Sequence, residues 1–139
     1  MITKIYFIEN SFDYNALNLN DNIIAGSEKT LINITNELGK NSNLSIKVFN
    51  NTTKPQSINN VKWLSISQIE KNDTPDFVVS MSDANLFYKL SAKKNYLWSH
   101  SVQNFEKFLR KSQLIPFIKF KPMMILEGDY HYKTRGFFT

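Results

Sequence analysis

His100 stands between Ser99 and Ser101, directly after the apolar stretch Tyr96-Leu97-Trp98. An imidazole there can hydrogen-bond a sugar hydroxyl or a phosphate oxygen and can move a proton near neutral pH. His100 is therefore the candidate catalytic residue, although a histidine satisfied within the fold accounts for the same position without chemistry. Ala25-Gly26-Ser27-Glu28 offers a second kind of group. A glycine before a helix lets a ligand approach the backbone, and first-turn N–H groups favour phosphate or carboxylate. A helix start with Ser27 as N-cap explains the same residues with no ligand. Ser82-Asp83 and Glu127-Gly128 each follow an apolar run. Asp83 and Glu127 can orient hydroxyl groups, and Asp83 can equally cap a helix beginning at Ala84. The candidate substrate-binding set is thus Gly26, Ser27, Glu28, Ser82, Asp83, Ser99 and Glu127. His131, between Tyr130 and Tyr132, reads as surface packing.

The elements that must position these groups follow from the apolar pattern. Residues 2–8 (ITKIYFI) are β-branched and aromatic, as in a buried strand. Residues 9–24 form a long polar loop, of a length often kept for function. Leu31, Ile34 and Leu38 recur at helical spacing, and Gly39 is placed to end that helix. Residues 44–49 (LSIKVF) predict a second strand and residues 50–60 a polar loop. Residues 61–66 predict a short strand, 77–81 (FVVSM) a strong one, 84–90 one or two helical turns, and 96–98 another short strand. Val102, Phe105, Phe108 and Leu109 mark an amphipathic helix that Pro116 breaks or kinks. Residues 123–126 (MMIL) predict a last strand, and a further helix begins near Asp129.

Strands alternating with helices, and apolar runs of four to seven residues, predict one Rossmann-like α/β domain over residues 1–139. Its layers are α/β/α around a mainly parallel sheet. In such sheets ligands bind outside the carboxyl ends of the strands, near the point where strand order reverses. That rule selects Gly26, Ser27, Glu28, Ser82, Asp83, Ser99, His100 and Glu127 without appeal to any family.

Several chemistries are excluded. The 139 residues contain no cysteine, which removes disulfides, thiolate nucleophiles and Cys-ligated zinc. His100 and His131 have no metal-ligand spacing, and no metal is expected. No G-x-G-x-x-G or P-loop is present, so neither a dinucleotide cofactor nor an ATPase has support. No G-x-S-x-G elbow or paired-carboxylate motif points to a hydrolase. The formal charge is +5, with the excess in the second half, as at Lys93, Lys94, Lys107, Arg110, Lys111, Lys119 and Lys121. Such a balance is usual for solvated lysines, and it also suits a phosphorylated substrate or an anionic membrane surface. No nucleic-acid motif accompanies it. No stretch approaches the roughly 20 apolar residues of a membrane span, and residues 1–10 lack signal-peptide features, so a cytoplasmic location is expected.

Three segments in order carry a family resemblance. Ile24-Ala25-Gly26-Ser27-Glu28 followed by KTLINITNEL resembles the glycine loop and first helix of GT-B glycosyltransferases of the retaining "group 1" family, where the loop often reads Gly-Gly-x-Glu. Leu97-Trp98-Ser99-His100-Ser101 resembles that family's Trp-x-His-Asp stretch, and MMILEGDYHYKTRGFF resembles its later strand and helix. The resemblance implies an N-terminal, acceptor-side domain facing a C-terminal donor domain that lies outside these residues. It implies a nucleotide-sugar donor, a sugar or lipid-linked acceptor, and no bound metal. Gly26 would sit near the donor diphosphate, with Ser27 and Glu28 supporting the loop, and His100 would face the transferred sugar. Alone, such a domain is expected to be inactive, and its exposed cleft wall makes a partner subunit or a homodimer plausible. Ala25 replaces the first loop glycine and Ser101 replaces the acidic residue after the histidine. A non-catalytic module that binds a phosphorylated or sugar ligand is the competing expectation.

Overall fold

The computed structural model describes residues 1–99 and 112–126. Its first strand, β1 (Thr3–Ile8), carries the β-branched and aromatic residues that suit a pleated, two-sided burial. Helix α1 (Gly26–Gly39) follows, then β2 (Leu44–Asn50), β3 (Gln56–Ile58), β4 (Val61–Ser65), β5 (Phe77–Met81), β6 (Lys94–Trp98), α2 (Leu114–Phe120) and β7 (Met123–Ile125). Single 3-10 turns lie at Ala16–Asn18, Ile66–Gln68 and Ala84–Tyr88.

The sheet runs β3-β4-β2-β1-β5-β6-β7, and every pairing is parallel except β3 with β4. Without the β3 edge, the parallel strands stand in the order third, second, first, fourth, fifth, sixth. That is the doubly wound arrangement, and its order reverses between β1 and β5. The expectation of a Rossmann-like α/β fold with a mainly parallel sheet is met. Among the described residues, no helix is long and apolar enough to cross a membrane.

Alternation along each strand divides the core in two. Phe7, Ile46, Val48, Trp63 and Val79 face α1, where Leu31 and Ile32 meet them. Tyr6, Ile8, Phe49, Val78 and Leu97 face the other side, under Ala84, Leu86 and Phe87, with Phe117 and Phe120 of α2 packed against them.

The link from β4 to β5 shows only one 3-10 turn and is fastened by a polar knot. The Tyr6 hydroxyl donates to the Asp73 carboxylate at 2.7 Å, Lys4 Nζ lies 3.2 Å away, and Lys47 Nζ bonds the second oxygen. Burial raises the Asp73 pKa, but hydrogen bonds from Lys47, Tyr6 and Lys4 outweigh it and hold the carboxyl down at about 2. Burial, then the bond to Asp73, pushes the Tyr6 phenol up.

Two local expectations change, while the placing of Gly39 at the end of the helix holds. Residues 50–60 are not all loop, because β3 pairs with β4 across Asn59-Asn60, both left-handed (φ 53° and 64°). Asparagine tolerates that conformation, which two-residue hairpin turns require. Gly39 is the last helical residue, and it is needed for close packing. A Cβ there would clash with the Asn59 carbonyl oxygen and lie 3.0 Å from Val61 Cγ2. Pro116 sits in the first turn of α2, where a missing N–H costs nothing, so it belongs to a helix start. The helix expected around residues 102–109 and the one expected from Asp129 lie outside the described residues.

Candidate functional site

At the carboxyl end of β1 the chain turns out of the sheet through Glu9 and Asn10, and the Glu9 N–H donates to Phe49 O at 3.0 Å. The Glu9 side chain is 6% exposed, and the Tyr14 hydroxyl donates to its carboxylate. Tyr14 is itself buried, edge-on to Trp63 with ring centroids 5.8 Å apart. The loop that carries it is tied to the end of β2: Asn50 Nδ2 donates to Tyr14 O at 2.9 Å, and Asn51 Nδ2 to Asn10 Oδ1 at 2.8 Å. Thr53 Oγ1 donates to Asp13 Oδ2 at 2.6 Å. The long loop is therefore ordered by polar contacts reaching across about forty residues of sequence.

α1 begins at Gly26 with Ala25 as N-cap, and no side chain caps it. Ser27 is therefore not the N-cap; its hydroxyl donates to Glu28 Oε2 at 2.7 Å. A Cβ at Gly26 would meet nothing within 4 Å, so its surroundings are open. Glu28 occupies the first turn, where a negative charge suits the helix end, yet it is only 6% exposed. Burial pushes the Glu9 carboxyl up, the hydrogen bond from Tyr14 opposes this, and the charge of Glu28 adds to the rise. Two buried carboxylic groups thus interact where α1 meets the end of β1.

The end of β5 forms the opposite wall of the switch point. Ser82 holds a left-handed backbone (φ 59°), and its N–H donates to Trp98 O at 2.9 Å. A non-glycine residue in that region is strained, and such residues gather at ligand sites. Asp83 is the N-cap of the Ala84–Tyr88 turn, its Oδ1 accepting from the Asn85 N–H at 2.9 Å. Gln113, 1% exposed, stitches this corner together. Its Oε1 accepts from the Ala84 N–H at 3.0 Å, and its Nε2 donates to Ser82 O at 3.5 Å. Asn10, Met81, Ser82, Asp83 and Gln113 line a crevice of about 400 Å³ between the ends of β1 and β5.

The residues expected at the site are therefore distributed as follows. Ser82 and Asp83 share the switch-point crevice. Gly26, Ser27 and Glu28 stand at the start of α1, outside the crevice lining, where the charge of Glu28 acts on Glu9 just after β1. Ser99 follows β6, fully buried, with its N–H donating to Ile125 O at 3.1 Å. His100 and Glu127 lie outside the described residues. Sequence reasoning missed Glu9, Asn10, Tyr14 and Gln113. Glu9 and Asn10 were within reach, because the strand-end rule applies to the residues immediately after Ile8 as well as to the distant glycine loop. Nothing local marks Gln113, whose partners are about thirty residues away.

The crevice offers amide, hydroxyl and carboxyl groups and no basic side chain among its lining residues. Among the described residues, no group of three or more His, Asp or Glu could hold a metal ion. Comparison with protein-family models, with curated proteins and with solved structures found no match. Fold and crevice together define a Rossmann-like α/β domain.

Proposed function

We propose that this domain binds a hydroxyl-rich sugar in the crevice between β1 and β5, as the acceptor-side half of a glycosyltransferase that uses a nucleotide-sugar donor. One observation carries the reading: at the switch point of a doubly wound sheet, the polar groups gathered are two amides, one hydroxyl and one carboxylate, with no basic side chain. These are the donors and acceptors that match sugar hydroxyls. An anion is disfavoured at the start of α1, because the acidic Glu28, buried in the first turn, already occupies the helix end that a phosphate would use. The diphosphate contact implied for Gly26 therefore moves away from this loop, and a donor's phosphates are left to the facing domain.

A second reading, a sugar-binding module without catalysis, is favoured by the use of Asp83. Its carboxylate caps the Ala84–Tyr88 turn and so is committed to structure. Transfer assays separate the two readings. Sugar transfer from a panel of nucleotide sugars, measured on the full gene product, supports the transferase reading if it falls at least about a hundredfold in His100→Ala. Unchanged transfer in that variant removes His100 from the chemistry, and no transfer by the full gene product leaves the binding module. Residues 1–139 alone should show no turnover, since they hold only one wall of the cleft.

A further inference from the structure

α2 presents an apolar stripe to solvent, edged by ammonium groups. Its inner side packs on the Ala84–Tyr88 turn, with the Phe120 ring 5.7 Å from Phe87 and 5.2 Å from Tyr88. On its outer side Ile115 is 73% exposed and Ile118 is 60% exposed. A spacing of three places the two on one face. Tyr88 is half exposed beside them, and Lys119 Nζ lies 5.1 Å from its ring centroid and 5.3 Å from that of Phe120. Lys121, in a left-handed conformation (φ 48°), ends the helix, and both it and Lys89 are exposed.

The charged residues of this surface have one sign: the turn and helix, residues 84–90 and 113–121, contain Lys89, Lys119 and Lys121 and no acidic residue. A stripe meant for another protein's apolar face is ordinarily edged by both signs of charge. Large aliphatic groups framed only by lysine match a surface that is apolar beneath and anionic above, the headgroup–acyl boundary of an anionic bilayer.

The geometry points to α2 and the Ala84–Tyr88 turn as a membrane-contact surface. Ile115 and Ile118 enter the acyl boundary of an anionic bilayer, while Lys89, Lys119 and Lys121 meet its headgroups. The contact is reversible, because one short helix buries little apolar area. It does not depend on the sugar-binding reading, since the crevice is lined by other side chains except Gln113, which precedes α2.

The test is co-sedimentation of the 139-residue chain with phosphatidylcholine vesicles, with and without about one-third phosphatidylglycerol, at salt near 0.1 M and near 1 M. Binding is expected on the anionic vesicles only and should fall at high salt. Lys119→Gln with Lys121→Gln should weaken it roughly 25-fold, about fivefold per lysine. Ile115→Ser with Ile118→Ser should abolish it. Lys29→Glu with Lys62→Glu, away from α2, should leave it unchanged. Circular dichroism of every variant should match the parent, and the lysine pair carries the test if the isoleucine pair does not fold. Equal binding to neutral vesicles, no binding at all, or indifference to both α2 variants would overturn the proposal. A change of oligomeric state in the isoleucine variant, without vesicle binding by the parent, would overturn it in favour of a second copy.

Discussion

The Tyr14 hydroxyl donates to the buried Glu9 carboxylate, joining the long loop after β1 to the strand end at which the sheet order reverses. Removing the donor leaves a buried acid without this hydrogen bond. Tyr14→Phe should cost about 1–3 kcal/mol, read as a lower urea midpoint with an unchanged slope. A loss below the error of the melt would show that the bond contributes nothing to folding.

Glu9 also predicts a pH dependence. Its folded pKa is raised, so the native state binds the proton more tightly than the unfolded chain does. Stability from this group is therefore greatest below the unfolded glutamate value of about 4.3 and falls as pH climbs towards the higher folded value. Glu9→Gln should remove that decline, so that the variant gains on the parent as pH rises from about 4 to 7. Parallel stability curves for the two proteins would contradict the burial argument.

Asp73 acts in the opposite direction. Its carboxyl is held at about 2, below the unfolded value, by Lys47, Tyr6 and Lys4. The stability it contributes is complete above about pH 4 and is lost as pH falls towards 2. Allowing for partial solvent screening, the contribution is about 1–2 kcal/mol. Asp73→Asn should be less stable than the parent at pH 7 and should converge with it near pH 2, measured by thermal melts across that range.

The two glycines of α1 should respond differently to alanine. Gly39→Ala drives a methyl into the Asn59 carbonyl and Val61, and should cost about 1–3 kcal/mol. Gly26→Ala meets open space and should be neutral, or stabilising by up to about 1 kcal/mol through better helix propensity. Calorimetry of the pair decides it, and equal losses would mean that the backbone at Gly26 needs glycine for itself.

Much of the sheet is legible in the sequence, because residues 77–81 must bury both faces and so spell an apolar run, while residues 44–49 alternate apolar with polar. β3 was hidden, since an exposed edge strand needs no apolar pattern, and its Asn59-Asn60 turn is the only local mark. The site is legible only in outline. Strand ends can be listed from the sequence, but which of them meet depends on strand order, and that order places β1 beside β5 and not beside β4. Gln113 shows the limit most clearly. It is a buried amide whose value comes from bonding Ala84 and Ser82, and neither is near it in sequence.

The central claim is a neutral sugar in the crevice between β1 and β5, and amide chemical-shift mapping of residues 1–139 tests it most directly. Titration with free hexoses and with nucleotide sugars should move the Asn10, Ser82 and Asp83 backbone signals and the side-chain amides of Asn10 and Gln113. Inorganic phosphate should leave the Gly26 and Ser27 signals in place. A crevice silent to every sugar, or phosphate shifts centred on Gly26, would contradict the account.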